Sequence, residues 1–217
     1  MTNSGLANTV FIIPAFNEVL SIGNVIDQLC IYGPIIVIND GSTDGTLELC
    51  ELHGVTVISH DGNLGYGAAI KTGLSKADEL KYKYAITIDA DGQHNTSDVV
   101  KIFDLLEDGF DLVCGNRHVL PRLAEQLFAL YSRWQYKIDD PLCGLKGYRL
   151  SACSGFIRSE FTCVAGTGIA ISAARAKLKV ANFLTKVAPR KDLPRYGTMI
   201  TANIKILYAF FFIVWNG

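Results

Sequence analysis

The stretch YAITIDADGQH, residues 84–94, joins an apolar run to two carboxylates that are one residue apart. Residues 85–88 have the apolar character of a buried strand, and Asp89 and Asp91 follow directly. Because the side chains of an extended segment alternate, the two carboxylates face the same way. Like charges this close repel each other unless a cation lies between them. The sequence therefore predicts a strand whose carboxyl end carries a cation site.

The first half of the chain repeats this strand pattern and alternates it with helical periodicity. Strands this apolar are buried on both faces, which is typical of parallel sheets. The pattern predicts the α/β class, with a mostly parallel central sheet and helices on both faces. Strands are expected at 10–13, 35–38, 55–58, 85–88 and 112–113, and helices over 18–30, 44–53, 68–80 and 97–106.

Polar loops follow four of these strands. They are PAFNE (14–18), NDGS (39–42), HDGN (60–63) and DAD (89–91). In parallel sheets, ligands bind in the crevice at the carboxyl ends of the strands. We therefore expect these loops to form one binding site.

The second half is less regular. A helix is expected over 123–134, a loop and short strand over 143–149, a strand over 178–188 and a helix over 198–215. The last helix contains the apolar run ILYAFFFIVW (206–215). Ten helical residues span about 15 Å, roughly half of a bilayer's hydrocarbon thickness. This run is expected to lie in the core or in a homo-oligomer interface, with contact to a membrane surface as the alternative.

Composition and charge narrow the class of protein. The chain has 217 residues, of which 49% are hydrophobic and 19% charged, as in globular proteins. Residues 1–111 carry a net charge of −11, and residues 112–217 carry +10. This asymmetry favours an anionic partner, such as phosphates or an acidic membrane surface. A nucleic acid is not the expected partner, since the basic residues are not interleaved with aromatic ones.

Two further features indicate a cytoplasmic protein. The six cysteines form no CxxC pair and lie mostly in apolar surroundings, so they are expected to be buried reduced thiols. The N-terminus lacks the basic and apolar regions of a signal peptide. A cytoplasmic location is expected, either free or peripheral on the cytoplasmic face of the membrane.

The cation predicted at Asp89 and Asp91 is Mg²⁺ or Mn²⁺, because hard carboxylate oxygens suit these ions. Gln93 and His94 are close enough in sequence to add a ligand. A plain surface turn is the alternative explanation for such a pair. The glycine-punctuated segments NDGSTDGT (39–46) and NLGYGAAIKTGL (63–74) match neither the dinucleotide fingerprint nor a Walker A motif.

Taken in order, five motifs resemble the inverting family 2 glycosyltransferases with a GT-A fold. They are PAFNE (14–18), VINDGSTDGT (37–46), NLGYGAAIKTG (63–73), IDADGQH (88–94) and CGNR (114–117). DPLCGLKGYR (140–149) is similar to the D-x-x-S-G-F-R segment of the polyprenyl-phosphate sugar synthases, and APRKDLPRYG (188–197) is similar to their basic segment. Cys143 stands where Ser is usual in that family, and Lys146 where Arg is usual.

The resemblance implies a UDP- or GDP-sugar donor and a Mg²⁺ or Mn²⁺ ion. Asp89 and Asp91 would bind the metal with support from Gln93, and Asp89 would also border the nucleotide. Glu18 would lie near the ribose and Asp40 at the base. The remaining residues implied for the nucleotide pocket are Pro14, Ala15, Asn17, Asn63, Gly65 and Lys71.

The acceptor decides which other residues take part. A hydroxyl of a growing glycan would need a carboxylate base, for which Asp140 is the first candidate and Asp139 the second. A polyprenyl phosphate is already an anion and needs cations instead. The net charge of +10 in the second half and the apolar tail favour the lipid phosphate. The residues expected to take part in catalysis are Asp140, Asp91 and Arg117. The cations that would hold its phosphate are Arg117, Arg133, Arg149, Arg190, Lys191 and Arg195, although any one of them alone could be a solvated surface charge.

The resemblance also divides the chain into two parts of one domain. Residues 1–155 would form the nucleotide-sugar-binding GT-A core, and residues 156–217 the acceptor-side segment with the apolar helix.

Three other classes of protein fit less well. A sugar nucleotidyltransferase is expected to carry a basic glycine-rich motif after the first strand, where this chain has PAFNE. A nucleotide-sugar sensor without catalytic activity would not need the carboxylate pair. A scaffold protein would not need the polar loops at the strand ends.

Overall fold

The computed structural model describes residue 6 and residues 8–157, 165–188 and 199–215. Within these ranges, strands and helices alternate through the first half as predicted. The strands are β1 (Thr9–Ala15), β2 (Ile35–Asn39), β3 (Thr56–Ser59), β4 (Tyr84–Thr87), β5 (Leu112–Arg117), β6 (Lys146–Arg149) and β7 (Val180–Thr185). The helices are α1 (Ile22–Leu29), α2 (Thr46–Leu52), α3 (Tyr66–Glu79), α4 (Asp98–Glu107), α5 (Leu123–Tyr136), α6 (Leu150–Ile157), α7 (Ala165–Arg175) and α8 (Met199–Trp215).

The strands form one mostly parallel sheet in the order β3-β2-β1-β4-β6-β5-β7. The exception is β6, which runs antiparallel to both β4 and β5. It begins at Lys146, beside Thr87 at the end of β4, and finishes at Arg149, beside Tyr84 at the start of β4. The two ends of β6 therefore lie at opposite edges of the sheet.

The strand β1 shows how the sequence fills both faces of the sheet. Val10 and Ile12 pack into the core cluster beneath α3, α5, α6, α7 and α8, while Phe11 and Ile13 pack into the cluster beneath α1, α2 and α4. All four side chains are fully buried. The two-residue period of the strand thus supplies two cores from one continuous apolar run, and the α/β class with helices on both faces is confirmed.

The first helix begins four residues later than its periodicity predicts. The backbone N–H of Glu18 donates to the Thr46 hydroxyl, and its carbonyl accepts from the backbone N–H groups of Ser21 and Ile22. Glu18 is therefore held outside α1, although Val19 has helical spacing with the residues that follow.

The sequence did not predict α6 or α7. The glycines of both helices weaken helical propensity, and their many small residues weaken the apolar periodicity that predicts a helix. Each packs against α3, and α6 also packs against α7. Tertiary burial, rather than local preference, therefore stabilises these two helices.

The expected C-terminal helix is present as α8, and it packs against α5 through Phe210. No helix among the described residues is long and apolar enough to cross a membrane. The strand expected within 178–188 is β7, which pairs with β5 in the central sheet. The division of the chain at residue 155 stays a prediction.

Five cysteines fall within the described residues, and all five are free thiols. Four of them are buried, and Cys30 is exposed. Burial raises the pKa of the Cys50 and Cys114 thiols to about 11. These thiols are therefore protonated structural side chains, as the sequence predicts.

Two helix glycines offer a matched test of packing. A Cβ on Gly73 of α3 would lie 2.3 Å from Cγ2 of the buried Ile12, whereas a Cβ on Gly155 of α6 would meet nothing within 4 Å. We expect Gly73→Ala to lower the free energy of unfolding by about 1–2 kcal/mol, since overpacking outweighs the gain in helix propensity. Gly155→Ala should raise it by roughly 0.5–1 kcal/mol. Urea unfolding of the two variants measures both changes, and a neutral Gly73→Ala would contradict the close contact of α3 with β1.

Candidate active site

The carboxyl ends of β1, β2 and β4 meet at one edge of the sheet. Ala15 at the end of β1 pairs with Asn39 at the end of β2, and Ile12 pairs with Thr87 at the end of β4. The next polar residues, Asp40 and Asp89, therefore lie at the same edge. The structure brings together the loops after β1, β2 and β4, as the sequence predicts.

The loop after β1 is fastened to the loop after β2. The Asn17 side chain accepts a hydrogen bond from the Thr43 backbone N–H at 2.8 Å, and the Asn17 N–H donates to the Ser42 hydroxyl. The Val19 N–H donates to the Asp44 carboxylate at 3.2 Å. These contacts give the segment carrying Asn17 and Glu18 a fixed shape. The buried Glu18 carboxylate also accepts a hydrogen bond from Ser21.

Asp40 organises the loop that follows β3. Its carboxylate accepts hydrogen bonds from the backbone N–H groups of Leu64 and Gly65 at 2.9 and 2.8 Å, and it contacts His60 Nδ1 at 2.7 Å. Asp40 is only 3% exposed. Its carboxylate therefore shapes residues 60–65, the loop that presents the exposed Asn63. Contact of Asp40 with a nucleotide base stays a prediction.

Asp89 is held from three sides at the end of β4. The Tyr66 hydroxyl donates to its Oδ1 at 2.9 Å, and His94 Nε2 lies 3.5 Å from its Oδ2. A Cβ on Gly144 would fall 2.2 Å from Oδ2, so only glycine allows this approach. The Nε2 atom of His94 thus faces this carboxylate, and a role of His94 as a metal ligand stays a prediction.

These neighbours keep Asp89 ionised. Burial alone would raise its pKa, but the His94 hydrogen bond and charge, the Tyr66 hydroxyl and the charge of Lys146 together lower the pKa below its ordinary value. The Lys146 ammonium is buried at the start of β6 and donates to the carbonyl of Cys143. A carboxylate that is fixed and ionised suits cation binding.

Asp91 lies in a tight turn two residues later. Its Oδ1 accepts the Gln93 backbone N–H at 3.0 Å, and Gly92 has a φ of 70° within this turn. The Gln93 side chain donates to the Ala188 carbonyl, and the Ala188 N–H donates back to the Gln93 carbonyl. The turn is thereby joined to the segment that leads into residues 189–198.

Arg117, at the end of β5, forms an ion pair with Asp140. The guanidinium donates to both carboxylate oxygens, with Nε to Oδ2 at 2.7 Å and Nη2 to Oδ1 at 3.1 Å. The backbone N–H of Leu142 also donates to Oδ1. Burial disfavours the charged guanidinium, yet the hydrogen bonds and charge of Asp140 raise the pKa of Arg117 above its ordinary value. Asp140 is only 1% exposed.

The other predicted acceptor cations separate into three cases. Arg133, in the last turn of α5, donates to Asp139 at 2.8 Å, next to Asp140. Arg149 is at the opposite edge of the sheet, where it binds the Phe110 carbonyl and the Asp111 carboxylate. The expectation for Arg149 is therefore wrong, because the antiparallel β6 carries it away from the site. The remaining cations, Arg190, Lys191 and Arg195, lie outside the described residues.

Two residues of the predicted nucleotide pocket lie in or beside α3. Gly65 precedes the first residue of α3, and Lys71 is half-buried one turn and a half further along. Pro14 and Ala15 are buried at the end of β1. Contact of these four residues with a nucleotide stays a prediction.

The residues present fit a divalent cation that is shared with a ligand. No group of three or more His, Cys, Asp or Glu side chains in the described part of the chain is arranged to hold a metal by itself. Mg²⁺ is commonly bound by one or two carboxylates together with substrate phosphates. Asp89 and Asp91 match that pattern.

Sequence reasoning missed three contributors to the site. Tyr66 and Gly144 contact Asp89 from distant parts of the chain, and the charge of Lys146 lowers the Asp89 pKa. In the sequence, Lys146 stands out only as a departure from a family pattern. Nothing in their spacing points to Asp89. The contacts arise from the placement of α3 and β6 beside β4.

Comparisons with known proteins agree with this geometry. The sequence model described as Glycosyl transferase family 2 matches residues 10–161. The chain is 30% identical over 234 residues to the UDP-N-acetylglucosamine–dolichyl-phosphate N-acetylglucosaminyltransferase of Methanococcus voltae, covering 91% of this chain and 92% of that protein. It is 31% identical over 120 residues to the polyprenol monophosphomannose synthase of Mycolicibacterium smegmatis, covering 51% and 45%.

Solved structures show the same fold. Glucosyl-3-phosphoglycerate synthase from Mycobacterium tuberculosis, crystallised with Mn²⁺, uridine diphosphate and glucosyl-3-phosphoglycerate, superposes with a TM-score of 0.71 at 20% identity. The match covers 93% of this chain and 79% of that one. The expected GT-A fold is confirmed by this likeness.

The contact of Gly144 with Asp89 can be tested through cation binding. In Gly144→Ala, the added methyl would displace the Asp89 carboxylate, so we expect Mn²⁺ affinity to fall at least about tenfold. Gly62→Ala is the matched control, because a Cβ there would meet nothing within 4 Å. Because the ion is expected to be shared with ligand phosphates, each variant is titrated with Mn²⁺ in the presence of UDP or GDP. Equal affinities would show that Asp89 is not a cation ligand.

The loop contact at Asp44 predicts a dependence of stability on pH. Burial would raise the pKa of Asp44, but hydrogen bonds from Thr46 and Val19 lower it below its ordinary value. A lowered folded-state pKa stabilises the protein above the unfolded-state pKa of 3.8, and this gain is lost as pH falls through the folded-state value. Asp44→Asn should therefore lower the free energy of unfolding by roughly 1 kcal/mol at neutral pH. The difference from the wild type should shrink at acidic pH. A difference that stays constant with pH would contradict the role of the ionised carboxylate.

Proposed function

The chain belongs to glycosyl transferase family 2, and we propose that it transfers a sugar from a UDP- or GDP-sugar to a polyprenyl phosphate, with inversion at the sugar carbon. Two relatives named above carry a dolichyl-phosphate or polyprenol activity in their names. The first of them covers nearly the whole chain, which supports the same class of acceptor here.

The observation that carries the choice of acceptor is the state of Asp140. Both of its carboxylate oxygens accept hydrogen bonds from Arg117, and the residue is almost fully buried. A general base must reach the proton that it removes. An acceptor hydroxyl could not approach this carboxylate without breaking the ion pair. A phosphate acceptor needs no base, so the geometry favours it over the glycan hydroxyl.

The donor would lie in the crevice formed by the loops after β1, β2 and β4. Asn17 and Glu18 are fixed there by the loop of residues 42–46. Asp89 and Asp91 would hold a Mg²⁺ or Mn²⁺ ion, which when bound neutralises charge on the diphosphate leaving group. Tyr66 and His94 orient Asp89, so the carboxylate has little freedom to turn away from the ion.

The acceptor phosphate would lie on the side of Arg117 and Arg133. Arg117 is partly exposed, and its ion pair with Asp140 fixes the orientation of the guanidinium before a ligand binds. Arg133 is 59% exposed at the end of α5. Guanidinium groups suit phosphate oxygens because they donate in a planar fork. The phosphate oxygen would then attack the sugar carbon opposite the departing diphosphate.

A single assay tests the proposed reaction. Release of nucleoside diphosphate is measured with UDP- and GDP-sugars and Mn²⁺ or Mg²⁺, with and without a short polyprenyl phosphate. Release that rises with the lipid phosphate supports the proposal and identifies the donor. Release that needs a glycan instead of the lipid phosphate would contradict it.

Two substitutions separate the roles of the carboxylates. Asp91→Ala should lower turnover by roughly a hundredfold or more, as the loss of a charge-stabilising group does in other enzymes. Asp140→Asn should lower kcat by less than about tenfold and mainly raise KM for the lipid phosphate, because it loosens Arg117. A base would cost about 10²- to 10⁴-fold in kcat.

The control for Asp91→Ala is Asp108→Ala, an exposed aspartate at the end of α4. Its turnover should match the wild type. Urea unfolding should accompany Asp140→Asn, since that change leaves the Arg117 charge without its carboxylate partner. A kcat loss of a thousandfold in a folded Asp140→Asn variant would identify Asp140 as a base and overturn the choice of acceptor.

A further inference from the structure

Two helices on one face of the protein carry exposed apolar stripes. On α5 the stripe is Leu123, Leu127, Leu130 and Trp134, with exposed fractions of 58–78%. On α8 it is Ile204, Tyr208, Phe211 and Trp215, with exposed fractions of 61–89%. Both sets follow the spacing i, i+4, i+7, i+11, which places each set on a single side of its helix.

The two stripes lie side by side. The Ala124 backbone N–H donates to the Asn203 side chain at 3.1 Å, and the Phe210 ring packs against Phe128 and Tyr131, with both centroid distances 5.2 Å. These contacts show that α5 and α8 run in the same direction. Each helix therefore presents its stripe away from the helix contact, and the tryptophans lie at the same end. We call the eight stripe residues together the α5–α8 face.

The exposed charged residues of the described chain on and directly beside these two helices are positive. The described residues after Leu112 include three carboxylates. Glu125 and Asp140 are buried, and Asp139 is paired with Arg133. Arg133, Lys137 and Lys205 are exposed on or beside the two helices. An apolar surface with a cationic margin complements an anionic lipid surface.

We propose that the α5–α8 face docks on an anionic membrane surface, with both helices lying in the plane of the interface. This inference rests on the proposed function, because the lipid acceptor is found in a membrane. A second copy of the chain fits the face less well, since two cationic margins would repel each other at close range. Tryptophans at the ends of both stripes suit the headgroup region, where amphipathic rings are favoured.

The docking face is continuous with the acceptor side of the site. Glu125, in the first turn of α5, lies 3.9 Å from Arg117, and Arg133, in its last turn, is paired with Asp139. One flank of α5 thus faces the candidate acceptor cations while the stripe faces outward. Docking would bring the phosphate of an embedded polyprenyl lipid to this flank without removing its chain from the bilayer.

Flotation with vesicles tests the docking. The wild-type chain should float with vesicles of phosphatidylcholine and phosphatidylglycerol, and more weakly with phosphatidylcholine alone. Leu130→Asp combined with Phe211→Asp should lower the bound fraction at least about tenfold, because each change replaces an apolar contact with a charge that anionic lipid repels. High salt should weaken wild-type binding.

The matched control is Ile31→Asp combined with Leu52→Asp. These residues are 69% and 84% exposed beside α1 and α2, on the other face of the sheet. The control adds the same charge and should float as the wild type does. Equal flotation of the docking variant and the wild type would overturn the proposal. The proposal would also be overturned if the wild type did not bind vesicles but formed a dimer, and the docking variant were monomeric.

Turnover separates this inference from the proposed function. With a short polyprenyl phosphate that is soluble without vesicles, the docking variant should turn over at the wild-type rate. With a long polyprenyl phosphate embedded in anionic vesicles, it should lose activity at least about tenfold, in line with its binding. Normal flotation without any lipid-dependent release of nucleoside diphosphate would overturn the proposed acceptor and leave the docking surface supported.

Discussion

The antiparallel strand β6 is the constraint on which the site depends. It lies between β4 and β5, so its first residues reach the edge where the parallel strands end. Gly144 thereby packs against the carboxylate of Asp89, and the Lys146 charge reaches it as well. A parallel strand in this place would bring its last residues to that edge instead. The direction of one short strand thus decides which side chains surround the carboxylate pair.

The site divides its charges between two sides. The acidic first half contributes Asp89 and Asp91, which suit a cation and a diphosphate. The basic second half contributes Arg117 and Arg133, which suit a second anion. The buried ion pair of Arg117 with Asp140 lies at this second side. Such a pair adds little net stability, but it fixes the orientation of the guanidinium.

The helix α5 connects the chemistry to the surface of the protein. Its buried residues Phe128 and Ala129 belong to the core side of the helix, and its outer stripe is apolar. Its first turn contacts Arg117 and its last turn carries Arg133, the two candidate acceptor cations. One helix therefore serves packing, positioning and surface contact through different sides. Because α5 has apolar residues on both its buried side and its exposed side, its apolar periodicity alone does not reveal which side is buried.

The sequence by itself determined the strands and helices of the first half and the polar residues at the strand ends. Strong periodicity and chain order carry that information, because parallel strands joined by helices bring their carboxyl ends to one edge. Tertiary structure alone decided the contacts of Tyr66 and Gly144 with Asp89, the position of Arg149 at the opposite edge, and the formation of α6 and α7. These depend on the direction of β6 and on burial against α3, and short-range spacing encodes neither.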